Sequence, residues 1–244
     1  RPDMCTMIVA SLILSLAGQL ADVPWPIFRH DLQGTSSNTL VGPQKPALKW
    51  RVPASSTSFP VVGERNTVYV ADKTLSAYDH SGVKQWEAEI DMGIDFLYRD
   101  GRAFVVTRYG TRILTVDMDG RVDVFAVPDP TEFFYFIYPL RANHFLIASM
   151  ERDELGRLGD ERLTSIDDSG AVDWMFRVPP NSISSLSQGL GGVIYFKTYD
   201  GVIYSLDAGG NIRWRFERLK IKYFDRPVVG SDGTIYVGTD QGLY

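Results

Sequence analysis

Cysteine is nearly missing from this 244-residue chain. Its one example, Cys5, cannot close an intramolecular disulfide or build a cysteine zinc site. Histidine is scarce too: His30, His80 and His144 are scattered and show no metal-ligand spacing. Positive charge is in deficit, with 25 Lys and Arg against 30 Asp and Glu for a formal charge of -5, which argues against a nucleic-acid partner. No apolar run approaches the roughly 20 residues that cross a bilayer as a helix. No Gly-x-Ser-x-Gly, Walker loop or Gly-x-Gly-x-x-Gly occurs, so neither a nucleophile elbow nor a phosphate cradle is indicated. Past residue 22 no stretch carries a helical apolar period.

What is there suits a large β domain: 44% hydrophobic and 12% aromatic residues, with 22 Gly and 13 Pro to make turns. The N-terminal stretch "MCTMIVASLILSLAGQLADVPWP" holds an apolar run from Met7 to Ala17. It suits the hydrophobic part of an export signal, with Ala17, Gly18 and Ala21 as candidate cleavage sites. Residues 1–21 are therefore read as a signal peptide and 22–48 as an extended lead. Gln19 of "LAGQ" stands where a lipoprotein box carries its lipid-bearing Cys.

One phrase recurs from there on. "YDHSGVKQW", "IDDSGAVDW" and "LDAGGNIRW" share Asp-x-x-Gly-x-x-x-Trp. The anchors are Asp79, Gly82 and Trp86; Asp167, Gly170 and Trp174; Asp207, Gly210 and Trp214. A fourth copy has Asp117 and Gly120, with its aromatic slipped to Phe125. The Asp residues are spaced by 38, 50 and 40, a repeat signature. Each unit reads as four short strands, which predicts an all-β propeller of four-stranded antiparallel blades over 49–244. The Asp side chain can bond its own turn, Gly takes the positive φ there, and the Trp wedges against the next blade.

The phrase from Ala77 to Trp86 resembles the tryptophan-docking motif of pyrroloquinoline-quinone (PQQ) repeat propellers. "WPIFRHDLQGTSSNTLVGPQKPALKWRV" (25–52) resembles the lead of such proteins. The resemblance covers residues 25–244 and implies a non-enzymatic scaffold. It also makes "LKWRV" a clasp strand that completes a final blade. The count is four blades and half of a fifth, an open partial ring. Family rings of seven or eight blades imply about 100 to 150 further residues. It extends to the propeller subunit that scaffolds outer-membrane protein assembly. Two alternatives stay open: a fragment of a PQQ-dependent oxidoreductase, or the extracellular sensor of a larger receptor or kinase. Enzymes of the family place PQQ over a Trp floor beneath a vicinal disulfide and beside calcium, and no vicinal Cys pair exists here. No cofactor is expected; PQQ and calcium enter only under the enzyme alternative. "DMDG" (117–120) has a fragment of a calcium loop but occupies a hairpin-turn slot.

Two departures from the average blade bear on binding. Blade three carries extra residues with a dense mixed-charge segment, "ERDELGRLGDER" (151–162), on the face shared with the blade-to-blade links. It is either a partner-contacting loop, through Arg152, Glu154 and Arg157, or a longer solvated hairpin. "EFFYFIYP" (132–139) is either core packing or an aromatic contact, with Phe133 and Tyr135 as the exposed members. The resulting expectation is an exported monomer, periplasmic, cell-surface or secreted. It would bind a protein or small ligand on its loop face, with no catalytic, cofactor or metal residues.

Overall fold

The structure is a computed structural model. It describes residues 26, 27, 31–33, 36, 45, 47–52, 59–91, 93–141, 143–178, 183, 185–217, 226–239 and 242–244. The expected signal peptide and most of the lead lie outside these residues.

Four successive antiparallel meanders follow one another, each paired in chain order. Blade one is β1 (Val61–Val62), β2 (Val68–Ala71), β3 (Thr74–Tyr78) and β4 (Lys84–Glu89). Blade two is β5 (Gly93–Arg99), β6 (Arg102–Thr107), β7 (Ile113–Asp117) and β8 (Val122–Ala126). Blade three is β9 (Glu132–Arg141), β10 (His144–Arg152), β11 (Leu158–Asp167) and β12 (Val172–Val178). Blade four is β13 (Ser185–Gln188), β14 (Ile194–Lys197), β15 (Ile203–Leu206) and β16 (Ile212–Phe216). A two-stranded pair, β17 (Val228–Val229) with β18 (Ile235–Tyr236), begins a fifth unit. No α-helix occurs among the described residues, only three short 3₁₀ turns.

The burial follows the pleat. β14 and β15 are buried on both faces along their whole length, Lys197 and Ser205 included, whereas the outer β12 and β16 stay largely exposed. Within β6, Phe104 and Val106 join the core facing blade three, while Ala103 and Val105 join the core facing blade one. Alternation of side chains along one strand thus fills two seams at once.

The lead reaches the inner strands. The carbonyls of Pro26, Leu32 and Gln33 accept the N–H groups of Tyr98 on β5, Gln188 on β13 and Val229 on β17 at 2.8, 2.8 and 3.3 Å. Ile27 and Leu32 are buried there. The lead thus caps inner strand edges that would otherwise be unpaired. Nothing in its composition announced this.

The charged segment 151–162 is mostly strand rather than loop. β10 and β11 run on past the blade and close at Asp153-Glu154-Leu155-Gly156, one more copy of the Asp-x-x-Gly turn. Asp153 Oδ1 accepts the N–H groups of Leu155 (2.9 Å) and Arg157 (2.8 Å).

Candidate binding site on the loop face

The repeated turns set the geometry of every blade joint. In each, the Asp carboxylate accepts two backbone N–H groups: those of Ser81 and Val83 for Asp79, Asp119 and Arg121 for Asp117, Ser169 and Ala171 for Asp167, and Gly209 and Asn211 for Asp207. These bonds hold each carboxyl below the usual carboxylate range, led by the Ser81 and Ser169 hydroxyls in blades one and three and by the Arg121 and Asn211 amides in the other two. Asp117 of "DMDG" is engaged in this way.

Over three of these turns lies the indole of the preceding blade's outer strand or of the lead. Trp86 Nε1 donates to Met118 O of blade two (2.7 Å), and Trp174 Nε1 to Ala208 O of blade four (3.0 Å). Trp50 of "LKWRV" donates to His80 O of blade one (3.2 Å), so the expected clasp residue takes the same position. A Cβ on Gly120 would meet the Trp86 ring at 3.1 Å, and φ there is +81°. Only glycine leaves room for both the bend and the ring. Trp214 packs on Tyr195 of its own blade at 5.8 Å and is 38% exposed.

The opposite end of blades two and three carries a cleft of about 270 Å³. Three elements meet around it: the turn Arg108–Gly110 between β6 and β7, the link into β9, and the tip of the β10–β11 hairpin. Tyr109 sits in the left-handed region (φ +67°) and is 62% exposed. A bulky residue with that φ is strained, and its neighbour shows what holds it. A Cβ on Gly110 would overlap the Phe134 backbone oxygen, so the turn lies directly against β9.

Of the residues singled out for contact, Phe133, Arg152 and Glu154 line this cleft, whereas Tyr135 and Arg157 do not. Arg152 lies over the half-buried Phe133 ring at 4.6 Å, a cation–π pair on the cleft wall, with Glu154 beside it. Arg157 is exposed and is held by its own turn, Nε donating to Asp153 Oδ2 at 2.7 Å. Tyr135 points elsewhere. It is half-buried, and its hydroxyl donates to the buried Glu161 at 3.3 Å. Burial, then the Glu161 charge, pushes its phenol well above the ordinary range.

Tyr109, Gly110 and Asp95 were not legible as site residues. Asp95, on β5, accepts the Ile137 N–H of β9 at 3.2 Å, and burial pushes its carboxyl up to about 6 against the pull of Arg226. Arg226 lies over the Tyr138 ring at 5.0 Å and donates to its hydroxyl. Among the described residues no group of three or more His, Cys, Asp and Glu side chains is placed to hold a metal ion. No helix among them is long and apolar enough to cross a membrane.

No protein-family model and no curated protein matches the sequence. Solved structures do. BamB from Moraxella catarrhalis is similar with a TM-score of 0.58 at 17% identity, over 80% of this chain and 60% of BamB. The WD40 propeller domain of Doa1 gives 0.54 at 13% identity, over 75% of this chain and 60% of that one. The chain is a β-propeller. Quinohemoprotein alcohol dehydrogenase from Comamonas testosteroni gives 0.60 at 13% identity, over 90% of this chain and 44% of the enzyme. At such identities the likeness is one of fold. The chain spans about 60% of the length of BamB.

Proposed function

We propose that this propeller is an exported binding scaffold, and that its loop face at the seam of blades two and three receives a protein segment or small ligand. The observation that carries this reading is the cleft itself. A strained, exposed Tyr109 is held by the approach of Gly110 to β9, facing the Arg152–Phe133 pair. Strain in an exposed aromatic, kept by close backbone packing, points to contact rather than to folding. Tyrosine, arginine and phenylalanine are also the side chains that anchor interfaces, because they desolvate large areas with few rotatable bonds. The likeness to BamB supports a scaffold built on this fold, and the apolar run from Met7 to Ala17 supports export.

A photoreactive p-benzoylphenylalanine at position 109, in cells of the source organism, tests the binding reading. One defined crosslinked species is expected, erased by Phe133→Ala with Arg152→Glu. The same probe at Val83, exposed at the opposite end of the blades, should give none. Equal products from both positions would sink the assignment. Residues 1–24 fused to alkaline phosphatase should yield activity outside the cytoplasm if the export reading holds.

A further inference from the structure

The joint between blades two and three lacks its indole, and strand register shows why. Trp86, Trp174 and Trp214 stand opposite Ala77, Ser165 and Ser205, each two residues before the turn Asp. The same place in blade two, opposite Thr115, is held by Asp123. In the other three blades a bulge lies between the turn and the Trp; here it lies later, and Phe125 is the extra residue. A bulge re-aims a side chain. The Phe125 ring accordingly turns inward onto Phe104 and Phe145, at 5.1 and 5.2 Å, while Asp123 stays exposed.

The next turn is therefore left without a ring. Over Gly170 a Cβ would meet only the Phe125 carbonyl, at 3.5 Å. Among the described residues no donor meets the Asp168 carbonyl, the counterpart of His80, Met118 and Ala208. Beside this turn a cleft of about 210 Å³ runs along the seam, walled by Val127, Phe134, Ile147, Ile166, Val172 and Met175. An apolar cavity of roughly 150 Å³ holds a benzene ring, so a bicyclic ring fits here.

The far end is charged. Arg162 is ion-paired with both Glu132 and Glu151, and its Nε is buried without a partner among the described residues. Two carboxylates thus face one guanidinium, with Asp129 also lining the cleft. The surplus negative charge favours a cationic neighbour for whatever enters.

We propose that this cleft docks a tryptophan side chain of a partner polypeptide, carried next to Lys or Arg. Its indole N–H would donate to Asp168 O as the chain's own tryptophans do at the sibling joints. The site lies along the blade seam and is distinct from the loop-face cleft, with which it shares only Glu132.

The test is calorimetric titration of the whole protein with acetyl-Lys-Trp-Lys-amide and acetyl-Lys-Ala-Lys-amide. The tryptophan peptide should bind saturably, at least about tenfold more tightly than the alanine peptide. Asp123→Trp places an indole in the cleft in cis and should abolish binding while raising Tm. Val127→Lys, at the exposed rim, should weaken binding about fivefold or more at unchanged Tm, whether or not the first variant folds. Equal affinity for the two peptides, or binding indifferent to Val127→Lys, overturns the proposal. Self-association that disappears with Trp214→Ala would also overturn it, making a second copy the occupant.

Discussion

Blade two is joined differently on its two sides. Toward blade one the seam is pinned at its outer rim, where Trp86 covers Gly120 and bonds Met118 O. Toward blade three the rim holds an exposed aspartate. The inner part of that seam carries the Phe104–Phe125–Phe145 cluster, the Asp95 bond to Ile137, and Arg99 Nη1 donating to His144 O at 3.1 Å. One joint thus adds a local rim staple to its inner packing, and the other relies on a distributed inner contact without one. A staple of one residue type at fixed spacing recurs in sequence; a distributed contact does not.

The largest effects should come from breaking each joint at its own anchor. Trp86→Ala removes a ring and its hydrogen bond, and Phe125→Ala removes the ring that turned inward. Each should lower stability by about 3 kcal/mol in chemical denaturation. A loss under about 1 kcal/mol for Trp86→Ala would mean that the rim indole does not hold that joint.

Gly110→Ala should follow, at about 2 kcal/mol. It must place a Cβ against the Phe134 backbone at φ +63°. Because that approach also positions Tyr109, crosslinking from position 109 should fall with it. The corresponding Gly101→Ala, where nothing lies within 4 Å, carries only the backbone strain and should cost visibly less.

Asp95 gives the inner joint a pH dependence. Its carboxyl titrates near 6 in the folded chain against 3.8 ordinarily, so the folded state holds the proton more tightly. Stability then falls as pH rises through about 4 to 6, because ionisation is easier in the unfolded chain. Asp95→Asn should leave stability unchanged near pH 4 and raise it by about 1 to 3 kcal/mol at pH 8. The turn aspartates act with the opposite sign. Their lowered pKa values contribute stability above the usual carboxylate range that is lost on acidification. The difference between variant and wild type at the two pH values isolates Asp95. A difference independent of pH would show that burial does not raise this carboxyl's pKa in the folded chain.

The blades were legible because their causes are local. An Asp bonding its own turn, a glycine with positive φ and a ring four residues on are all written within nine positions, whereas Trp50 was readable only through the resemblance of "LKWRV" to a clasp strand. The hairpin tip at Asp153-x-x-Gly156 obeyed that rule too, yet dense charge made its strands look like a loop. What stayed hidden depends on partners far along the chain. Gly110 matters because of Phe134, Asp95 because of Ile137, and the lead because its carbonyls meet β5, β13 and β17. The most misleading local signal was Phe125, where spacing alone cannot show that the bulge had moved.

The smallest prediction therefore discriminates best between spacing and register. Counting from the turn Asp places Val124 in the slot of Trp86, whereas pairing places Asp123 there. Val124 is 57% exposed and Asp123 is exposed as well, so neither carries the joint. Val124→Ala and Asp123→Ala should each change stability by less than about 0.5 kcal/mol, although they flank a residue whose loss is severe. If Val124→Ala instead approached the Trp86→Ala loss, that residue would be the rim contact, and the vacancy beside Gly170 would have another cause.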